Sequence, residues 1–208
     1  MPETAPRSGG ATLAARAASL PFARREIEVL VRQLPVAPWA FGLPAISMAV
    51  VPGLLRSMVT RPVLYSASLI VVTLASGMAV QPLTARVGSR GDRQGLAVGA
   101  AGVFLAAYVI AARSPLLAFG AAILIGAGYG LVMTTGLREV SERVTREHRG
   151  TAVGTYYVLT YLGFAVPFVH AVVAKVWGDV ATSFAAGFAV IASLAVRAAI
   201  ARRPRVAA

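Results

Sequence analysis

The chain has 208 residues, of which 57% are hydrophobic and 13% charged, and its net charge is +12. A soluble domain carries roughly 25% charged residues, because its elements must present a polar face to water, so this composition excludes an ordinary soluble core. The absence of cysteine excludes a disulfide framework, a thiolate nucleophile and a cysteine zinc site. Basic residues lie in short clusters between apolar runs, a pattern that does not favour nucleic-acid binding.

The N-terminal segment is basic and contains no apolar run long enough to be the core of a signal peptide. We therefore expect the first apolar span to direct membrane insertion. Residues 1–35 are predicted to form a cytoplasmic, linker-like segment, residues 36–196 a transmembrane bundle, and residues 197–208 a basic cytoplasmic tail.

Six segments are apolar enough to cross a bilayer core of about 30 Å, which takes about 20 residues of helix. Each is predicted to be helical, because irregular backbone in lipid would lack hydrogen-bond partners. The sequence thus predicts an all-α membrane protein, a six-transmembrane-helix bundle. Its predicted spans are Val36–Leu55, Val63–Leu83, Gly95–Ala112, Leu116–Leu137, Gly150–Ala174 and Val180–Val196.

Lysine and arginine are distributed unequally over the two sides of this bundle. Sixteen of the twenty lie in the N-terminal segment, the second and fourth loops and the C-terminal tail. Cytoplasmic loops carry an excess of these residues, so we expect a multi-pass protein of the cell membrane with both termini in the cytoplasm.

The loop between the second and third spans contains Leu83, Arg86, Gly88 and Arg90. A loop that only sets orientation needs no glycine. This sequence resembles the signature loop of the major facilitator superfamily, Gly-x-Leu-Ala-Asp-Arg-x-Gly-Arg-Lys, which joins the second and third helices of each six-helix half. The four residues match that pattern, whereas its first glycine and its aspartate are replaced. The resemblance implies that the loop contacts helix ends during a conformational change.

The fifth span contains Gly154, Gly163 and Pro167. This spacing is similar to the fifth-helix pattern of the same family, Gly-x8-Gly-x3-Gly-Pro, with the proline one residue early and the preceding glycine missing. The alternative is a span that bends at Pro167 and uses two glycines for close packing. In the first span, Pro44 is also a candidate for a helix bend, because proline removes a backbone hydrogen bond.

The resemblance implies the fold and activity of one half of a secondary transporter, here the C-terminal half. Such a half moves a small solute by alternating access, with proton-coupled efflux among the activities that the family includes. It implies that the chain pairs with an N-terminal half or with a second copy of itself, within the lipid bilayer. The alternative function is a membrane scaffold without transport activity, or a truncated transporter fragment.

Every carboxylate lies outside the six predicted spans, in a loop, tail or turn. Uncharged polar residues are therefore the main candidates for lining a solute cavity. The resemblance implies that the first, second, fourth and fifth helices line this cavity, while the third and sixth face lipid. The alternative for each serine or threonine is a hydrogen bond to its own helix backbone. The cavity candidates are Ser76, Thr134, Tyr157, Thr160 and Tyr161.

The fifth span also contains His170, a titratable group that either takes part in proton or substrate handling or is hydrogen-bonded at headgroup level. Gly126 and Gly130 in the fourth span predict a close contact with another helix rather than a nucleotide site. No span combines residues for a metal centre or a Ser–His pair, so we predict neither an enzyme nor a cofactor.

Overall fold

The computed structural model describes residues 24–84 and 88–202, which form helices joined by short turns. Six helical runs within these residues are long and apolar enough to cross a membrane, and a turn at residues 34–36 divides the first of them, Glu26–Met58, into a short helix and a longer one. The prediction of an all-α membrane bundle with six spans is therefore confirmed at this level. The helices are α1 (Arg24–Gln33), α2 (residues 37–58), α3 (Pro62–Ala79), α4 (Gly91–Ala112), α5 (Ala118–Arg143), α6 (Arg149–Trp177) and α7 (Asp179–Arg202).

Three helices extend beyond their predicted spans at one end of the bundle. The helix α4 begins at Gly91 rather than Gly95, α5 continues to Arg143, and α7 continues to Arg202. These extensions place Asp92, Glu139 and Arg197 inside helices, whereas the sequence predicts them in loops and a tail. Hydropathy falls at each charge, but Arg197 pairs with both Asp92 and Glu139, so the helices need not end there. We call this end of the bundle, which also carries α1, the basic end.

The centre of the bundle consists of α2, α4 and α5, and α3, α6 and α7 are the most exposed helices. Close packing at the centre depends on glycine. A Cβ atom on Gly128 of α5 would lie 2.6 Å from the backbone of Gly99 on α4. On the other side of α5, Gly126 and Gly130 contact the backbone of Thr73 and Gly77 on α3 so closely that no Cβ would fit. The predicted glycine contact face of the fourth span is thus confirmed.

Two of the helices depart from α geometry within their length. In α2, α-helical residues 37–45 contain Pro44 and are followed by a π-helical turn at Ile46–Val50. In α6, a 3₁₀ turn at Leu162–Ala165 comes just before Pro167. The π-helical turn is followed by Pro52 and the 3₁₀ turn by Pro167. A proline leaves an upstream carbonyl without its usual donor and its ring displaces the preceding turn.

The short helix α1 packs with its inner face on α5 and α6. Val29 and Leu30 are buried in one cluster with Val140, Val144 and Tyr156. On the opposite face of α1, Ile27 and Val31 are about half exposed, as is Leu34 in the turn that follows the helix. The end of the predicted linker-like segment is therefore part of the packed structure.

Candidate functional site

The two broken helices, α2 and α6, contact each other next to their breaks. Gly163 in the 3₁₀ turn of α6 lies against the carbonyl oxygen of Pro38 and the backbone nitrogen of Gly42 on α2. No side chain would fit between these backbones, so Gly163 allows the contact. Gly154, by contrast, is exposed and a Cβ there would meet nothing within 4 Å. Broken helices are where many transporters place binding sites or hinges.

Beside this contact lies an aromatic patch, formed by Phe41 of α2 with Tyr161 and Phe164 of α6. The ring centroids of Phe41 and Phe164 are 4.9 Å apart, and those of Phe41 and Tyr161 are 5.4 Å apart. The interplanar angles within the patch are 12–20°. Tyr161 and Phe164 are 56% and 58% exposed, so the patch presents ring surface outside the bundle.

The predicted cavity residues occupy different environments. Tyr157 is half-buried beside Tyr161, with ring centroids 6.5 Å apart, and these two share the face that carries the aromatic patch. The buried Thr160 donates its hydroxyl to the carbonyl of Tyr157, and Thr134 donates to Gly130, both within their own helices. Ser76 is half-buried, with its Cβ facing α5 at Gly126. A cavity role for these residues stays a prediction.

A buried hydroxyl pair, which the sequence analysis missed as a pair, joins α2 to α3. Ser47 lies in the π-helical turn, 2.8 Å from the hydroxyl of Thr73. Thr73 donates its own proton to the carbonyl of Leu69, so Ser47 is the donor between the two. The pair satisfies two polar groups that would otherwise be unpaired inside an apolar bundle.

The sequence analysis also missed a charge cluster at the basic end. Arg197 of α7 donates through Nε to Asp92 of α4 and through Nη2 to Glu139 of α5, the latter at 2.6 Å. Gln33 of α1 donates to the same Glu139 oxygen at 2.8 Å. Asp92 and Arg197 are 3% and 6% exposed, so this charge-bearing contact is buried. The sequence contains one indication of this cluster, because residues of opposite charge lie near the ends of spans on the same side of the predicted bundle.

The same end carries a second tie between α1 and the turn before α6. Nδ1 of His148 lies 2.7 Å from a carboxylate oxygen of Glu26, and Thr145 donates to the other oxygen at 2.8 Å. Glu26 is 2% exposed. Together with Gln33, this contact fixes both ends of α1 to α5 and to the turn that follows it.

The remaining candidates lie elsewhere. His170 is buried between α6 and α7, with Nε2 2.9 Å from the hydroxyl of Ser183. In the loop that resembles the family signature, Leu83 and Arg90 are exposed, and Gly88 has a φ of +60°, a conformation that favours glycine. Arg86 lies outside the described residues.

Comparisons with protein-family models, with curated proteins and with solved structures found no match for this chain. Within residues 24–84 and 88–202, no group of three or more metal-binding side chains is close enough to hold a metal ion. The class that the fold defines is a multi-pass helical membrane protein, and its most distinctive exposed surface is the one that α2 and α6 share.

Proposed function

We propose that this chain transports a small solute across the cell membrane by alternating access, as one half of a secondary transporter. The observation that carries the proposal is the contact between two broken helices beside an exposed, partly polar aromatic surface. A helix with a π or 3₁₀ turn bends at lower cost than a regular helix, because its hydrogen-bond ladder is already interrupted. Gly42 and Gly163 lie where the two broken segments meet, and they let the two backbones approach closely.

The sequence resemblance to the major facilitator superfamily supports the same proposal. It rests on the loop residues Leu83, Gly88 and Arg90 with Arg86, and on the glycine and proline spacing of the fifth span. The six-helix architecture is consistent with one such half in helix number, whereas α4, which the resemblance places against lipid, lies at the centre of the bundle. We propose that a second six-helix bundle, either an N-terminal half or a second copy, covers the face of α2 and α6.

Tyrosine hydroxyls on this face also favour a water-lined surface. Tyr157 and Tyr161 place polar groups where lipid would offer no hydrogen-bond partner, whereas a hydrated cavity would. The exposed face of α7 differs, since residues such as Phe188 and Ile191 present only hydrocarbon. This difference provides a matched pair of positions for a test.

The test compares the reactivity of Tyr161→Cys and Phe188→Cys toward a water-soluble thiol reagent in native membranes. Both side chains are aromatic and exposed, at 56% and 64%, and the native chain has no cysteine to react. We expect rapid modification of Tyr161→Cys and little modification of Phe188→Cys. Equal protection of both variants would contradict a water-filled cavity on α2 and α6.

A further inference from the structure

The short helix α1 has three sides with different surroundings. Its inner side packs on α5 and α6. Beside that side runs an apolar stripe, which is formed by Ile27 and Val31 and continued by Leu34 in the following turn, with these residues 47–51% exposed. The third side carries the ion pair of Glu28 and Arg32. A helix with one protein-facing, one apolar and one charged side is suited to the boundary between protein, hydrocarbon and water.

The length of the first membrane-spanning run places α1 at such a boundary. Residues 37–58 of α2 form about 33 Å of helix, which already covers a bilayer core of about 30 Å. The run reaches α1 through a turn at residues 34–36, so α1 lies at the edge of the hydrocarbon or beyond it. Contacts with Val140 and Val144 near the end of α5 keep α1 beside the bundle at this level.

The charges close to α1 indicate which lipids it meets. The turn that binds Glu26 of α1 contains the exposed Arg146, and the exposed Arg149 begins α6 directly after it. Residues 143–149 carry three arginines and one glutamate, so this turn is cationic. The amino end of a helix also favours anions, because its backbone N–H groups point outward. Exposed arginines beside a membrane surface attract anionic lipid headgroups.

We propose that α1 is an interfacial helix, and that its apolar stripe, Ile27, Val31 and Leu34, inserts among the acyl chains of the leaflet at the basic end. Arg146 and Arg149 hold anionic phospholipid headgroups beside it. The partner of this surface is therefore a lipid leaflet. Insertion removes the apolar area of the stripe from water, and the arginines enrich anionic lipid around it. This inference goes beyond the proposed transport and does not depend on it, because it concerns a surface away from the face of α2 and α6.

The test measures the depth of single fluorescent probes on the full chain in lipid nanodiscs. An environment-sensitive fluorophore is attached to Val31→Cys on the apolar stripe or to Glu28→Cys on the charged side, and the native chain has no cysteine to compete. The quenchers are phospholipids brominated near the headgroup end of their acyl chains and, in water, acrylamide. We expect brominated lipid to quench the first probe and acrylamide to quench the second.

Two results of this comparison would overturn the proposal. Protection of the probe at Val31→Cys from brominated lipid would show that water or protein covers the stripe. Equal quenching of the probes at Val31→Cys and Glu28→Cys by brominated lipid would show that α1 has no side in water.

A second comparison, made with the probe at Val31→Cys, tests the arginines. Brominated phosphatidylglycerol and brominated phosphatidylcholine are supplied at the same mole fraction, and we expect about twofold more quenching by the anionic lipid. Adding Arg146→Gln/Arg149→Gln should remove this difference. Adding Arg56→Gln/Arg61→Gln should preserve it, because these exposed arginines lie at the opposite end of the bundle. Equal quenching by the two lipids before these changes, or a difference that survives Arg146→Gln/Arg149→Gln, would overturn the proposal.

Discussion

Arg197 connects helices that lie far apart along the chain. Its guanidinium joins Asp92 of α4 to Glu139 of α5, and Glu139 in turn accepts a hydrogen bond from Gln33 of α1. One side chain thus connects three transmembrane helices at the basic end. Arg143 adds a further contact to Glu139 at 3.1 Å from a more exposed position. Removal of Arg197 would leave the buried carboxylate of Asp92 without its cation, whereas Glu139 would keep the contact with Arg143.

We predict that Arg197→Leu lowers the free energy of unfolding by about 3–5 kcal/mol, the cost of leaving a buried charge unpaired. The measurement is thermal unfolding in detergent, followed by tryptophan fluorescence. Arg202→Gln is the control, because Arg202 lies in the same helix and is exposed. The triple variant Asp92→Asn/Arg197→Leu/Glu139→Gln should recover most of the loss. Equal effects of Arg197→Leu and Arg202→Gln would contradict the assigned role.

At the scale of helices, glycine positions determine which pairs approach closely. Gly163 brings α6 onto the backbone of α2, whereas Gly154 on the same helix contacts nothing at its Cβ position. The sequence pattern treated both glycines alike, because spacing along one helix does not reveal the neighbouring helix. The two glycines differ in their surroundings, because only Gly163 faces the backbone of another helix.

We predict that Gly163→Ala destabilises the protein by about 1–3 kcal/mol, because its methyl group would displace the α2 backbone. Gly154→Ala should be neutral or stabilising by up to about 1 kcal/mol, since alanine favours a helix more than glycine does. Melting temperatures of the two purified variants in the same detergent provide the comparison. A larger loss for Gly154→Ala would show that the α2–α6 packing is different.

The same helices show which features the sequence predicts and which depend on the three-dimensional packing. Six spans were predictable because hydropathy is a local property of about 20 consecutive residues. The contact between Asp92 and Arg197 was not, because 105 residues separate the pair along the chain. Pro44 predicted a bend in α2. The sequence did not predict the π-helical turn that places Ser47 beside Thr73, because that arrangement depends on the packing of α3. Tyr156 is fully buried and the adjacent Tyr157 is half-buried. Two neighbouring tyrosines look alike in the sequence, so this difference in exposure depends on the packing around them.

For the whole molecule, orientation in the membrane is the first property to test. Arginine and lysine accumulate at the basic end, which carries α1, the α3–α4 loop, the α5–α6 turn and the C-terminal end of α7. We predict that this end is cytoplasmic. A fluorescent reporter that matures only in the cytoplasm should give signal when fused after Ala208 and none when fused after Trp177. Signal from the second fusion alone would reverse the orientation.

The proposed transport requires that the face shared by α2 and α6 opens in turn to each side of the membrane. The most direct measurement adds a membrane-impermeant thiol reagent to Tyr161→Cys in sealed vesicles of right-side-out and of inside-out orientation. Alternating access predicts modification in both kinds of vesicle, with Phe188→Cys protected in both. Modification of Tyr161→Cys from one side only, or from neither, would contradict the account.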